Sequence, residues 1–122
     1  MPIFPKRNKM AKLQTSLDVV KKIIGDKWKI LIIVNLYNGR KRMNELLYYV
    51  DGITQKILTE NLRELEKMKL VNREVFAEVP PRTEYSLTEI GVSIIPIIQS
   101  LISWSLDYNT AINEEEDKYS NN

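Results

Sequence analysis

Lys56, Thr59, Arg63 and Lys67 recur at intervals of three, four and four residues. On an α-helix such positions share one face, and this face would be cationic and rich in hydrogen-bond donors, with Gln55 beside it. In the major groove of DNA a Gln can read adenine, a Lys or Arg can read guanine, and a Thr can meet a base or a phosphate. Glu60, Glu64 and Glu66 lie beside the cations, available for helix-surface pairs, and they limit how much of the helix can lie against phosphate. A further cation, Arg82, stands in "EVPPRTEYSLT" just after two prolines, which cannot donate to a β ladder. Arginine's planar fork suits a phosphate or a narrow, electronegative minor groove. The alternative for these residues is ordinary solvated charge, and for Arg82 also a pair with Glu78 or Glu84.

Other chemistry is sparse. The 122 residues contain no cysteine and no histidine, which excludes disulfides, thiol catalysis, Cys/His metal sites and histidine-dependent triads. There is no Gly-rich phosphate loop, and no carboxylate pair stands apart as an acid/base candidate. Neither enzymatic activity nor a cofactor or metal is expected. The start, "MPIFPKRNKM", is basic but lacks an apolar core of signal-peptide length, and no unbroken apolar run of 18 residues occurs. A cytoplasmic protein without a membrane partner is the expectation. Charge is uneven: residues 1–88 hold 17 Lys/Arg against 10 Asp/Glu, and residues 89–122 hold 1 against 6. The basic part is the half suited to a polyanion.

The elements that would position these residues follow from periodicity. "TSLDVVKKIIG" places Leu17, Val20, Ile23 and Ile24 at helical spacing before Gly25. Asp26 can cap a second helix, "KWKILIIVNLYNG", apolar nearly all round and so central. After Arg40 to Arg42, "NELLYYV" predicts a two-turn helix with Asn44 as cap and Leu46, Leu47 and Val50 inward. Of Tyr48 and Tyr49, about 100° apart on a helix, one should pack and one be exposed. Asp51 and Gly52 make a turn. Thr54 is then an N-cap, Ile53 can staple to Leu58, and Ile57, Leu58, Leu62 and Leu65 form a buried stripe. Two strands follow, from Val71 and up to Leu87, joined through Pro80 and Pro81. Trp28, Phe76, Tyr85, Met43 and Met68 read as packing residues. Two helices joined by a short turn, then a basic-tipped hairpin, have the layout of a winged helix-turn-helix.

The ordered series "GDKWKI", "RMNEL", "GITQKILTENLRELE" and "EVPPRTEYSLTEIG" resembles the winged helix-turn-helix domain of HxlR-type transcription regulators, relatives of the MarR group, over about residues 17 to 106. The resemblance implies a mainly α fold with a small β wing, and a dimeric, bacterial-type regulator that binds double-stranded DNA at promoters. Carried over by position, it makes Thr54, Gln55, Lys56, Thr59 and Arg63 the recognition-helix contacts and Arg82 the wing contact. Gln55, Lys56 and Thr59 sit where such a helix meets base edges; Arg63 and Arg82 suit phosphate or minor groove; Thr54 can be a cap or a phosphate contact. Lys27, Lys29 and Arg40 to Arg42 could also lie beside the backbone, with solvated charge the alternative. Many relatives carry a cysteine before the first helix and use its oxidation as a switch. Here that region reads "LQTSLD", leaving a small-molecule effector, a protein partner or abundance as the signal.

The last helix runs from a cap at Thr88 through Val92, Ile94, Ile95, Ile97, Ile98, Leu101, Ile102, Trp104 and Leu106. Its apolar surface is too wide for one small domain, and Pro96 should kink it or weaken one turn. The expected cover is the same helix of a second subunit, with the N-terminal helix, forming a homodimer on an inverted-repeat site. The organisation expected is a basic lead over residues 1–15, the winged domain with its dimerisation helix over 16–112, and an acidic, disordered tail over 113–122. The rival reading is a winged-helix protein-interaction module without DNA binding, for which Glu60, Glu64 and Glu66 are the best argument.

Overall fold

The computed structural model describes residues 10–120. Helix α1 spans Met10–Ile24 and α2 spans Lys27–Tyr37. The first helix therefore begins inside the stretch expected as a lead, because "MAKLQT" holds no proline or glycine to stop it. At Gly25 a Cβ would crowd the Lys21 carbonyl oxygen, so the chain can turn sharply there. Asp26 caps α2 as expected, accepting from the Trp28 N–H at 2.9 Å. Ile32 and Ile33 are fully buried, and Leu36 nearly so. Helix α2 is the hub of the core, packing against every other helix except the short fifth one and against the wing. It ends at Gly39, whose φ of +133° is one that glycine adopts freely.

Helix α3 spans Met43–Tyr49 and α4 spans Gln55–Lys67. Helix α3 starts one residue before Asn44, and Asn44 is not its cap; instead the Glu45 carboxylate accepts from the Arg42 N–H at 2.9 Å. Leu46 and Val50 define its inward face, leaving Tyr48 opposite, and both tyrosines are exposed, meeting edge to face at 5.1 Å. The expectation that one would pack fails because the inward face is this narrow.

Thr54 caps α4 through its Oγ1, which accepts from the Ile57 N–H at 3.2 Å, and Leu58, Leu62 and Leu65 carry the buried stripe. The helix closes on a Schellman turn. Leu70 N–H donates to the Leu65 carbonyl and Lys69 N–H to that of Glu66, both at 3.0 Å. Lys69 pays for this turn with a φ of 63°, which most side chains avoid.

Strands β1 (Val71–Phe76) and β2 (Arg82–Leu87) pair antiparallel, with Arg73 opposite Tyr85 and Glu74 opposite Glu84. Pro80 and Pro81 fall outside the ladder, as expected, and the Val79–Pro80 bond is cis. Lys41 exchanges both backbone hydrogen bonds with Tyr85, at 3.0 and 2.8 Å, and so ties the α2–α3 link to the hairpin.

The last apolar run is two helices, α5 (Glu89–Ser93) and α6 (Ile95–Ser120). Thr88 caps α5, its Oγ1 accepting from the Gly91 N–H at 3.0 Å. The break falls at Ile94, with Pro96 in the first turn of α6, where its missing N–H costs nothing. Helix α6 continues through Asn113 to Ser120, where the sequence reads as a disordered tail. Glu114 and Lys118 at i,i+4 spacing, with no helix breaker, favour that continuation.

Candidate nucleic-acid interface

The first turns of α4 project from the domain beside the hairpin. Gln55 and Lys56 are exposed there, presented by the Thr54 cap. The Thr54 side chain is engaged in that cap, and Thr59 is half-buried with its hydroxyl donating to the Gln55 carbonyl at 2.8 Å. Thr59 can therefore accept from a ligand but has already spent its proton. Arg63 is exposed one turn further on. No carboxylate of the described residues lies within ion-pair distance of Lys56 or Arg63. Gln55 shares a groove with Arg42, Asn44, Pro80, Pro81 and Arg82, so the helix N-terminus and the hairpin tip line one concavity.

Arg82 is held differently. Its guanidinium lies 3.1 Å from Glu78 and 3.5 Å from Glu84, with its carbon 4.2 Å from the centre of the Phe76 ring. Only 27% of the side chain is exposed. Arg40 is likewise paired, at 2.7 Å to Glu74 and 3.4 Å to Glu84. Its pKa is raised above the ordinary value, by the hydrogen bond to Glu74 first and by Glu84 after it. Arg40 and Arg82 thus share Glu84, in a network within the wing and its root.

Other cations considered beside the backbone have separate duties. Lys29 is 5% exposed and bridges Asp26, at 3.3 Å, to Glu64 of α4. Burial alone would lower its pKa, but hydrogen bonds to Glu64 and Asp26, with their charges, raise it. Lys29 is a strut between α2 and α4, and it draws Glu64 away from the cationic face. Lys27 lies 4.5 Å from the centre of the Trp28 ring, and Lys41 donates to the Gly39 carbonyl at 3.2 Å.

The profile of the HxlR-like helix-turn-helix family matches residues 23–113. The chain belongs to that family. It is 47% identical over 95 residues to YkvN, an HTH-type transcriptional regulator of Bacillus subtilis, covering 78% of this chain and 80% of that one. The same identity and length relate it to an HTH-type regulator of Methanothermobacter thermautotrophicus, covering 78% and 72%. Among solved structures, a MarR-family transcriptional regulator from Enterococcus faecalis superposes with a TM-score of 0.73 at 38% identity, over 93% of this chain and 97% of its own. As an HxlR-like protein the chain is a DNA-binding transcriptional regulator of winged helix-turn-helix fold, and not an enzyme.

Two residues of this HxlR-like domain escaped sequence reasoning. For Lys29 solvated charge is the sequence alternative; Asp26 is a local partner three residues away, but Glu64 appears only when α2 meets α4. Arg73 is in sequence only one position of a strand, yet it lines a cleft with Thr59 and Arg63. Its alternation with Val71 is the available signal, since strand residues two apart share a face.

Proposed function

We propose that the protein acts in the cytoplasm as a two-fold homodimer on an inverted-repeat promoter site, with the N-terminal half of α4 in the major groove. Gln55, Lys56 and Thr59 read base edges, Arg63 and Thr54 meet phosphates, and Arg82 approaches the backbone from the wing. The observation that carries this reading is the cationic face of α4, where Lys56 and Arg63 have no carboxylate partner among the described residues and stand beside an exposed Gln55. Arg82 reaches a phosphate only by exchanging Glu78 or Glu84 for it, so its net contribution is the smaller one.

Helix α6 supports the dimer. At 26 residues it is about 39 Å long, and within it Ile97, Leu101, Ile102, Trp104, Leu106 and Tyr108 are exposed. Leu17, Val19 and Val20 of α1 are exposed as well. A partner subunit covering these faces would set two recognition helices about one DNA turn, ~34 Å, apart. Within residues 89–119 an 18-residue window is apolar enough for a membrane span, although it is no unbroken apolar run. Yet Ile95 and Ile98 are anchored in the core. The stretch from 99 to the acidic cluster at 114 reaches roughly 22 Å, short of the ~30 Å that a bilayer core requires.

Selection of bound sequences from a random duplex pool, with the mass of the complex measured by light scattering, tests the proposal. Palindromic half-sites bound by two chains are expected. Failure to enrich any duplex would favour the protein-interaction module, and enrichment of a single half-site by one chain would remove the dimer.

A further inference from the structure

We propose that Arg63 of α4 and Arg73 of β1 form a two-guanidinium clamp for one phosphodiester of the DNA backbone, at the root of the wing instead of its tip. The clamp rests on the reading of α4 as the groove-facing helix.

The strand register places Arg73 directly opposite Tyr85, so the two side chains project from the same face of the hairpin. Tyr85 is buried, which turns that face towards the body of the domain. There Arg73 lines a cleft with Thr59, Leu62, Arg63, Glu66 and Tyr85. Leu62 and Tyr85 are buried and form the apolar floor, while Arg63, Glu66 and Arg73 are exposed at the rim. The opposite face of the hairpin carries Glu74, Glu84 and Arg82, in the network with Arg40.

That division of labour decides the chemistry. The wing network consumes Glu74, Glu78 and Glu84, and none of the ion pairs among the described residues includes Arg63, Arg73 or Glu66. Two like charges lining one cleft repel, and an anion between them removes the repulsion. Guanidinium groups offer paired N–H donors that match a phosphate's oxygens. Thr59, its proton committed to the Gln55 carbonyl, adds no competing donor. Glu66 lowers the local charge to a single net positive, which suits a singly charged phosphodiester. The cleft lies beside the helix face that carries Lys56, so a backbone phosphate flanking the bases read by α4 is the ligand of matching position.

The test uses the full chain and its selected duplex. Arg73→Ala should weaken binding roughly tenfold and reduce the slope of log affinity against log salt by about 0.9. Arg73→Lys, which keeps the charge but not the fork, should restore the slope while recovering only part of the affinity. Arg63→Ala combined with Arg73→Ala should lose less than the product of the single losses, because both serve one phosphate. The thermal midpoint of Arg73→Ala should match the parent's. Unchanged affinity and slope in Arg73→Ala would overturn the clamp, and so would fully multiplicative losses in the double variant, which would assign the arginines to separate phosphates. Thermal protection of the parent by millimolar inorganic phosphate, with duplex affinity unchanged in Arg73→Ala, would reassign the cleft to a free anion and overturn it too. Failure of the parent to bind any duplex would instead sink the underlying reading of α4.

Discussion

Helix α4 and the wing hairpin have nearly balanced charge, yet they present it in opposite ways. Helix α4 holds three cations and three glutamates, and residues 71–87 hold two arginines and three glutamates. On α4 only Glu64 is engaged, by Lys29, and none of the ion pairs among the described residues includes Lys56 or Arg63, although Glu60 and Glu66 lie beside them. In the wing, Arg82 lies between Glu78 and Glu84, while Glu74 and Glu84 together hold Arg40. Composition thus says little about which region meets a polyanion. Pairing decides it, because a cation already bound to carboxylates must give them up before it can neutralise a phosphate.

The two regions meet at a joint whose disruption should have the largest effect. Leu70, which follows α4, accepts the Thr88 N–H at 3.0 Å, and the Thr88 hydroxyl donates to the Lys69 carbonyl at 2.6 Å. Gly91 lies so close that a Cβ would overlap the Leu70 carbonyl oxygen. Gly91→Ala should therefore push α5 off this joint and cost about 1–3 kcal/mol, seen as a lowered denaturation midpoint with weaker DNA binding. Normal stability would show that the joint is loose.

Next in size are the cations of α4. Lys56→Ala should weaken duplex binding by about 1–2 kcal/mol and change sequence preference, whereas a uniform loss across sequences would make it a backbone contact. Glu64→Gln sharpens the comparison from the other side. Removing one partner of Lys29 should lower stability by about 0.5–1 kcal/mol, the exposure of the Glu64 carboxylate screening the pair, with little change in DNA affinity. The raised Lys29 pKa sets the pH window. On the alkaline side, the lysine's contribution is fully present below the unfolded value of about 10.5 and is lost as pH rises through the higher folded value, so parent and variant should converge in strong alkali. Lys69→Gly, which relieves the left-handed turn at the joint, should stabilise the fold by about 0.5–1 kcal/mol; a loss would mean that the lysine side chain contributes something its backbone strain conceals.

Much of this arrangement was legible in the sequence, and the illegible part has a common cause. The Thr54 cap, the α4 stripe and the prolines outside the ladder are local features, set by residues a few positions apart, and the structure has them as expected. The pairing of Lys29 with Glu64 and the cleft that Arg73 shares with Arg63 depend on how separate elements meet, and periodicity carries no such information, whereas the Glu78 and Glu84 partners of Arg82 are close enough in sequence to be named as candidates. The early start of α1 and the helical acidic end of α6 depart from expectation because helix propensity outweighs charge and position in the chain at both ends.

The smallest expected effect belongs to the residue that looks most conspicuous in the sequence, and it gives the most direct test. Duplex affinity should be measured across a range of salt for the parent, for Lys56→Ala/Arg63→Ala and for Arg82→Ala. A loss of about tenfold or more with a flatter salt slope is expected for the α4 pair, and for Arg82→Ala a loss under about threefold with nearly the parent slope. The reverse order, with Arg82→Ala the more damaging and the flatter in salt, would contradict this ranking.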